Sequence, residues 1–339
     1  MIFVQSDLND VSTNDVLDWC YYLFPDEEVK RVNDEALIQK ISIKIDSKSE
    51  DDHIDLVFTN DSVSSALLTG HWYRRGETSF RKSLVHAGNE QALTIADSFA
   101  DYIDEETNYV SAYLGEFFSD HRRSINKFND NLTNKISNLI KAKQQGLPVP
   151  GTLITNCSNE VIAFLQANKK VITKAIAYSN FKISFKGINI TVCQLPVLVD
   201  MDTYTGYQQH GAYQTSLPAL YQEYIEKKYE LRIFYLKGKF YPMAIFSQAS
   251  EKTQTDFRNY DRERPNRCVP YKLPVAIEQK LDAFMSAIDM NCGSIDMIYT
   301  PGGDYVFLEV NPVGQFQWLS KSCNYDIERT IAKHLMGEA

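Results

Sequence analysis

Gly293-Ser-Ile-Asp296-Met-Ile-Tyr-Thr-Pro-Gly302-Gly303-Asp-Tyr-Val-Phe-Leu-Glu309-Val-Asn311-Pro312 reads as two strand-forming runs around a Gly-Gly pair. Such a pair favours a tight hairpin turn. With Gly302 and Gly303 as the loop, Asp296 opposes Glu309. Ile295, Met297 and Tyr299 then face Val310, Leu308 and Val306 as one apolar side. Asn311, two residues past Glu309, points to the same side as both acids. Two carboxylates opposed across a strand pair repel each other. A divalent cation relieves that repulsion, and magnesium takes hard oxygen ligands that it shares with substrate phosphates. The competing reading is the solvated face of an edge hairpin, although Phe307 on that side argues against full exposure.

Working outward, Lys237-Gly238 is a plausible two-residue turn between strands 229–236 and 239–246. A helix is expected at 275–290 and another at 325–336. Upstream, Ile125, Phe128, Leu132, Ile136 and Leu139 recur every three or four residues. That spacing predicts one helix over 121–145, stopped by Gly146, Pro148 and Pro150. Ser158 opens a short helix, strand 171–176 follows, and 177–190 reads as irregular before strand stretches at 190–199 and 219–225. Near the start, residues 2–5 read as a buried strand and Ser12 with Asp15 as a helix cap. Strands at 28–33, 41–46 and 54–59 and a helix at 93–119 complete an α/β (α+β) pattern.

Composition narrows the function. A chain of 339 residues is long enough for two or three domains. Lys and Arg number 35 against 44 Asp and Glu, a net charge of −9. That disfavours nucleic acid and acidic membrane as general partners, since both want a basic face. The six cysteines form no C-x-x-C pair, so a zinc ribbon or thioredoxin-type site is not expected. Their scatter fits a reducing compartment. No signal-peptide pattern and no apolar run of membrane-spanning length is visible. A cytoplasmic protein is therefore expected. The six histidines lack metal-type spacing.

With these residues in hand, the chain from about 120 to 339 resembles the ATP-grasp ligases. Asp296, Glu309 and Asn311 match that family's magnesium site, an aspartate followed by a hairpin ending in Glu-x-Asn. Lys135 and Lys174 match its two phosphate-binding lysines. Gln222-Glu223-Tyr224-Ile225 matches the hinge that hydrogen-bonds adenine, and Glu230 the acid that holds the ribose. Arg232 follows on the same strand face as Glu230. One stretch departs from the family: 177–190, where its phosphate-covering loop belongs, has Gly187 alone. No P-loop motif is present.

A closer resemblance is to the peptide-modifying branch that makes graspetides, the microviridin-like peptides. It is carried by Gln222-Glu-Tyr-Ile, Glu230-Leu-Arg232, Asp256-Phe-Arg258-Asn-Tyr260 and Leu308-Glu-Val-Asn-Pro-Val-Gly-Gln315-Phe-Gln-Trp318. Ser12-Thr-Asn-Asp-Val-Leu-Asp-Trp19 and His71-Trp72-Tyr73-Arg74-Arg75-Gly76 look like the grasp-with-spasm maturases within it. The resemblance implies an ATP-grasp fold in three parts: an N-terminal domain 1–118, a central subdomain 119–222 and a C-terminal subdomain 223–339. The nucleotide would lie between the last two. It further implies ATP and magnesium as cofactors and a ribosomal leader–core precursor peptide as partner. Asp or Glu side chains would be phosphorylated, then joined to Ser/Thr hydroxyls or a Lys amine, releasing ADP and phosphate. Arg258 is expected on the acyl phosphate or the reacting carboxylate, because guanidinium binds such anions bidentately. Arg74 and Arg75 read either as receivers of an acidic segment or as a structural pair on the neighbouring aromatics. Gln315 and Trp318 read as acceptor-pocket lining or, for Trp318, as core. The resemblance also suggests a homodimer. Two alternatives stay open: a ligase for a free amino acid or short peptide, and a non-catalytic ATP-binding scaffold.

Overall fold

The structure is a computed structural model describing every residue except 35, 46–51, 77–78, 81–89, 128–132, 169, 178–179, 186–187, 210–216, 250–258, 260–262, 264 and 339. Ile2–Ser6 is buried at all five positions. It therefore needs cover on both faces, which a parallel sheet provides. Val29–Asn33 and Gly70–Tyr73 pair with it in parallel, and Ser124–Ile125 extends the sheet beside Gly70–Tyr73. A second sheet, Leu37–Lys44, His53–Phe58, Ser62–Ser64 and Ser79–Phe80, shares its core with Phe3 and with Leu114 and Phe118 of the helix Glu90–Ser119.

Two local expectations need correcting. The first helix spans Val11–Leu23, and its cap is Asp10, whose carboxylate accepts from the Thr13 amide at 3.2 Å. Ser12 lies inside the helix and donates to Asp10 instead. The expected helix 121–145 is only Lys135–Gln144, capped by the Asn134 side chain. Ile125 belongs to the parallel sheet, paired with Trp72, and Asn126 beyond it is left-handed at φ +57°. The helical period across that break is coincidental, because sheet burial also demands apolar residues. Phe128 and Leu132 lie outside the described residues.

In the middle of the chain, Thr152–Thr155, Ala219–Glu223, Val171–Lys174 and Val197–Val199 form an antiparallel sheet. The helix Ser158–Asn168 backs it with Val161 and Leu165. Where irregular chain was expected, Asn180–Phe185 and Ile188–Cys193 form a hairpin. Helices not anticipated from the sequence run Met201–Gln209 and Gln317–Cys323.

The C-terminal sheet has the order Arg267–Pro270, Lys239–Phe246, Tyr229–Leu236, Cys292–Tyr299, Tyr305–Asn311, antiparallel throughout. Lys237 and Gly238 turn the first hairpin with φ of +43° and +83°, as their sequence suggested. Leu231, Ile233, Tyr235, Ile295 and Met297 cover one face with the helix Val275–Ala287. The opposite face changes character along Tyr229–Leu236. Phe234 and Leu236 pack with Ile2, Val4 and Trp72 and with the terminal helix Ile327–Met336. Glu230 and Arg232, on that same face, stand clear of this cover and line cavities. No described helix is long and apolar enough to cross a membrane.

Candidate functional site

The hairpin 292–311 places the site, with a register that corrects the simple reading. Its loop is five residues, 300–304, closed by the Thr300 amide on Asp304 O at 3.0 Å. Next to that loop, Tyr299 pairs with Tyr305, Ile298 with Val306 and Met297 with Phe307. A bulge then restores the expected alignment, so Asp296 opposes Glu309 and Ile295 opposes Val310. Leu308 is the extra residue. The bulge turns Phe307 fully into the core, edge-on to Phe284 with centroids 4.8 Å apart. Leu308 instead lines the cavity beside Glu309.

Asp296 and Asn311 share the polar side of this hairpin. The Asn311 amide nitrogen donates to Asp296 Oδ2 at 3.1 Å. Arg232, which pairs with Asp296 across the strands, donates from Nη1 to Oδ1 and Oδ2 at 2.8 and 2.7 Å. Glu309 meets the Lys135 ammonium at 3.3 Å. Lys135 is the first residue of its helix, aimed across by the Asn134 cap. The two opposed carboxylates are thus each held by a protein cation.

An open cleft of about 740 Å³ adjoins this trio and is lined by Lys174, Gln222, Glu223, Tyr224, Ile225, Glu230, Asp296 and Glu309, among others. Lys174 ends the strand Val171–Lys174, opposite Leu220. Gln222 is buried and donates to Thr152 Oγ1 at 3.0 Å. The Glu223 backbone amide bonds Gly151 O at 2.8 Å, and its carboxylate accepts from the Gly151 amide at 3.1 Å. Glu230 receives Lys227 Nζ at 2.5 Å and Ser247 Oγ at 2.7 Å. Lys227 and Ser247 escaped the sequence reading. The Lys227-Lys228 doublet looks like solvated charge, but the fold buries Lys227 to 8% exposure against Glu230. Every sequence-predicted residue except Arg258 gathers at this cleft or beside it. Arg258 lies outside the described residues.

On the other side of the trio, a second cavity of about 840 Å³ is lined by Arg232, Asp296, Glu309, Asn311, Gln315 and Trp318, with Arg75 from the N-terminal sheet. The loop 312–316 that shapes it approaches the hairpin closely. A Cβ on Gly314 would lie 2.5 Å from Ser294 Oγ, and its φ is +50°, so glycine is required there. Arg74 resolves towards the structural reading. It is buried, donates to Val313 O and Gly314 O at 2.5 and 2.7 Å and sits over Phe316 rather than over its neighbouring aromatics.

No family model matches the chain, and no curated protein matches it. Solved structures do. One is a Chryseobacterium gregarium RiPP-associated ATP-grasp ligase in complex with ADP and a leader and core peptide, at TM-score 0.77 and 24% identity over 100% of this chain and 97% of the other. Another is the macrocyclase MdnC bound with precursor peptide MdnA from Microcystis aeruginosa MRC, at 0.73 and 23% over the whole of both chains. A third is the ATP-grasp ligase PsnB complexed with a phosphomimetic variant of minimal precursor, Mg and ADP, at 0.69 and 14% over 99% and 98%. Along its whole length, then, this chain has the ATP-grasp fold.

Proposed function

We propose that the chain is an ATP-dependent ligase that phosphorylates Asp or Glu side chains of a ribosomal precursor peptide and joins them to a hydroxyl or amine. The observation that carries this is the position of Asp296, Glu309 and Asn311. They lie on one strand face between two cavities, with Lys135, Lys174 and Arg232 around them. A phosphoryl transfer needs a nucleotide on one side, an acceptor carboxylate on the other and positive charge between them. The first cavity offers a hinge of backbone groups at 222–225 for a base and Glu230 for ribose hydroxyls. The donor set of two carboxylates and an amide fits Mg2+, which would supply charge neutralisation for the phosphates.

The substrate carboxylate oxygen attacks the γ-phosphorus and ADP departs. Lys135 and Lys174 hold the phosphate oxygens, and Arg232 orients the acceptor carboxylate against them. The acyl phosphate is then attacked at carbon by a Ser/Thr hydroxyl or Lys amine, which loses a proton as phosphate leaves. Arg258 is proposed to meet the same anion. The second cavity favours a peptide over a free amino acid, because it continues into a further trough past Arg75, Gln315 and Trp318. The neighbours described as binding leader, core or precursor peptides point the same way. The reading also includes a homodimer and a cytoplasmic location.

The test is incubation with ATP, magnesium and candidate precursor peptides rich in Thr/Ser and Asp/Glu. Each bond formed should lower the peptide mass by one water while ADP accumulates. Release of AMP, or ADP formation indifferent to every peptide, would count against the scheme.

A further inference from the structure

Arg75 stands where the two open cavities meet. With Gln315 and Trp318, it lines both the cavity of Asp296 and Glu309 and the trough that opens beside Asp7, Asn9 and Gln317. Its backbone is fixed: the amides of Arg74 and Arg75 both bond Gln5 O, at 2.8 and 3.2 Å. Gly76 then reverses the chain at φ +78°, where a Cβ would lie 2.8 Å from Ser6 O. Adjacent arginines on an extended chain point to opposite sides. Arg74 goes into the core, and Arg75 goes out at 37% side-chain exposure.

Two arginines meet two aspartates at this corner, but unevenly. Asp10 Oδ2 forms ion pairs with Arg74 Nε at 3.0 Å and Arg75 Nε at 2.8 Å, without hydrogen-bond geometry, so one carboxylate serves two guanidiniums. Asp7 reaches Arg75 only at 3.9 Å. Both contacts engage Nε. Among the described residues the terminal nitrogens of Arg75 make no hydrogen bond, which leaves the bidentate edge of the fork towards the cavities. Arg74 is 1% exposed, so the guanidinium of this corner that a ligand can reach is that of Arg75.

We propose that Arg75 is a specificity-determining residue that holds an acidic side chain of the substrate segment beside the site of transfer. The inference rests on the ligase reading above. It adds that the N-terminal sheet, and not only the two nucleotide-binding parts, selects the substrate by charge. An extended segment entering along the trough passes Trp318 and Gln315 and presents a carboxylate to Arg75, with the reacting residue at Asp296 and Glu309.

The experiment measures fluorescence anisotropy of a labelled synthetic peptide of alternating Thr and Asp, with ADP and Mg2+ present, against a Thr–Asn counterpart. Binding of the acidic peptide should weaken at least fivefold in R75Q. R75K, which keeps the charge but loses the fork, should fall between, and the affinity for the Thr–Asn peptide should be unchanged in both. Equal affinity of R75Q and the unmodified chain for the Thr–Asp peptide overturns the proposal. So does an equal loss for both peptides, and so does an unmodified chain that binds ADP but neither peptide. An unmodified chain that fails to bind ADP overturns the ligase reading instead. Should R75Q lose cooperative unfolding, the R75K comparison between the two peptides decides on the same criteria.

Discussion

Two arginine–aspartate pairs in this molecule look alike and do opposite things. Arg74–Asp10 joins the N-terminal sheet to the loop after the site hairpin, with side chains 2% and 4% exposed. Arg232–Asp296 lies on the C-terminal sheet at 10% and 16%. In the first pair the surroundings hold both partners at several other atoms: Arg74 also donates to Val313 O, Gly314 O and Ser12, while Asp10 accepts from Thr13 and Ser12. Burial by itself would raise the Asp10 carboxyl, but Arg74, Ser12 and Arg75 outweigh it and hold it below its usual range. In the second pair a single arginine nitrogen spans both aspartate oxygens and no described group but Asp296 is bonded to the guanidinium; its Nε, like that of Arg74, finds no hydrogen-bond partner among the described residues. Two cavities open onto Asp296. A pair tied at several points and closed off from solvent cements the fold, whereas a pair whose arginine is tied only to its aspartate, beside two cavities, is available to a ligand.

The contrast can be broken at either end. Arg74→Met strands Asp10 in the core beside Arg75 alone and should destabilise by about 3–5 kcal/mol, read from urea unfolding. A loss under 1 kcal/mol would show that the pair is not cement. Asp296→Asn should leave the urea midpoint in place and lower turnover by roughly 10²–10³-fold. If stability falls and turnover persists, the two pairs have been assigned the wrong way round. Lys227→Met removes the buried partner of Glu230 and should raise the KM for ATP by about tenfold, an effect of about 1.4 kcal/mol, with little change in kcat. An unaltered KM would separate Glu230 from the nucleotide.

A smaller effect sharpens the description of the cemented region. His71 is buried between Phe3 and Phe118, and Nε2 donates to Gln5 Oε1 at 2.8 Å. Burial, with a contribution from His121, pushes its pKa down to about 3. The imidazole is therefore neutral in the fold, while the unfolded chain binds a proton below about pH 6.5. Stability contributed by His71 is complete above that value and lost as pH falls towards 3, at about 1.4 kcal/mol per pH unit. His71→Gln should flatten the slope of unfolding free energy between pH 6.5 and 5. An unchanged slope would mean that the ring is reached by protons in the folded state.

How far the sequence could be read is clearest at the site hairpin. The facing of Asp296 and Glu309 was legible, yet through two errors that cancel. The loop is five residues rather than two, which shifts the register by one, and the bulge at Leu308 shifts it back. Alternation alone cannot find a bulge, because Phe307 and Leu308 are equally apolar and their faces are set by what packs on them. The cap of the first helix failed for a related reason. Asp10 and Ser12 are both good caps, and only the pull of Arg74 and Arg75 selects Asp10. Lys227 was missed because its charge reads as solvated until Glu230, itself bonded by Ser247, is seen to hold it.

Residue type and spacing by themselves determined the hairpin acids with their amide, the lysine on the strand at 174, the turn at Lys237-Gly238 and the helix stop at Gly146. Each depends on local backbone geometry or on chemistry that few residue types can perform. Tertiary structure alone decided that Ile125 joins a sheet, that Leu308 bulges, that Arg74 is cement and that Arg75 faces the cavities. Those outcomes depend on partners elsewhere in the chain: Trp72 for Ile125, Phe284 for the bulge, and for Arg74 the Gly314 carbonyl 240 positions away. Local pattern carries no information about which distant surface will cover a given face.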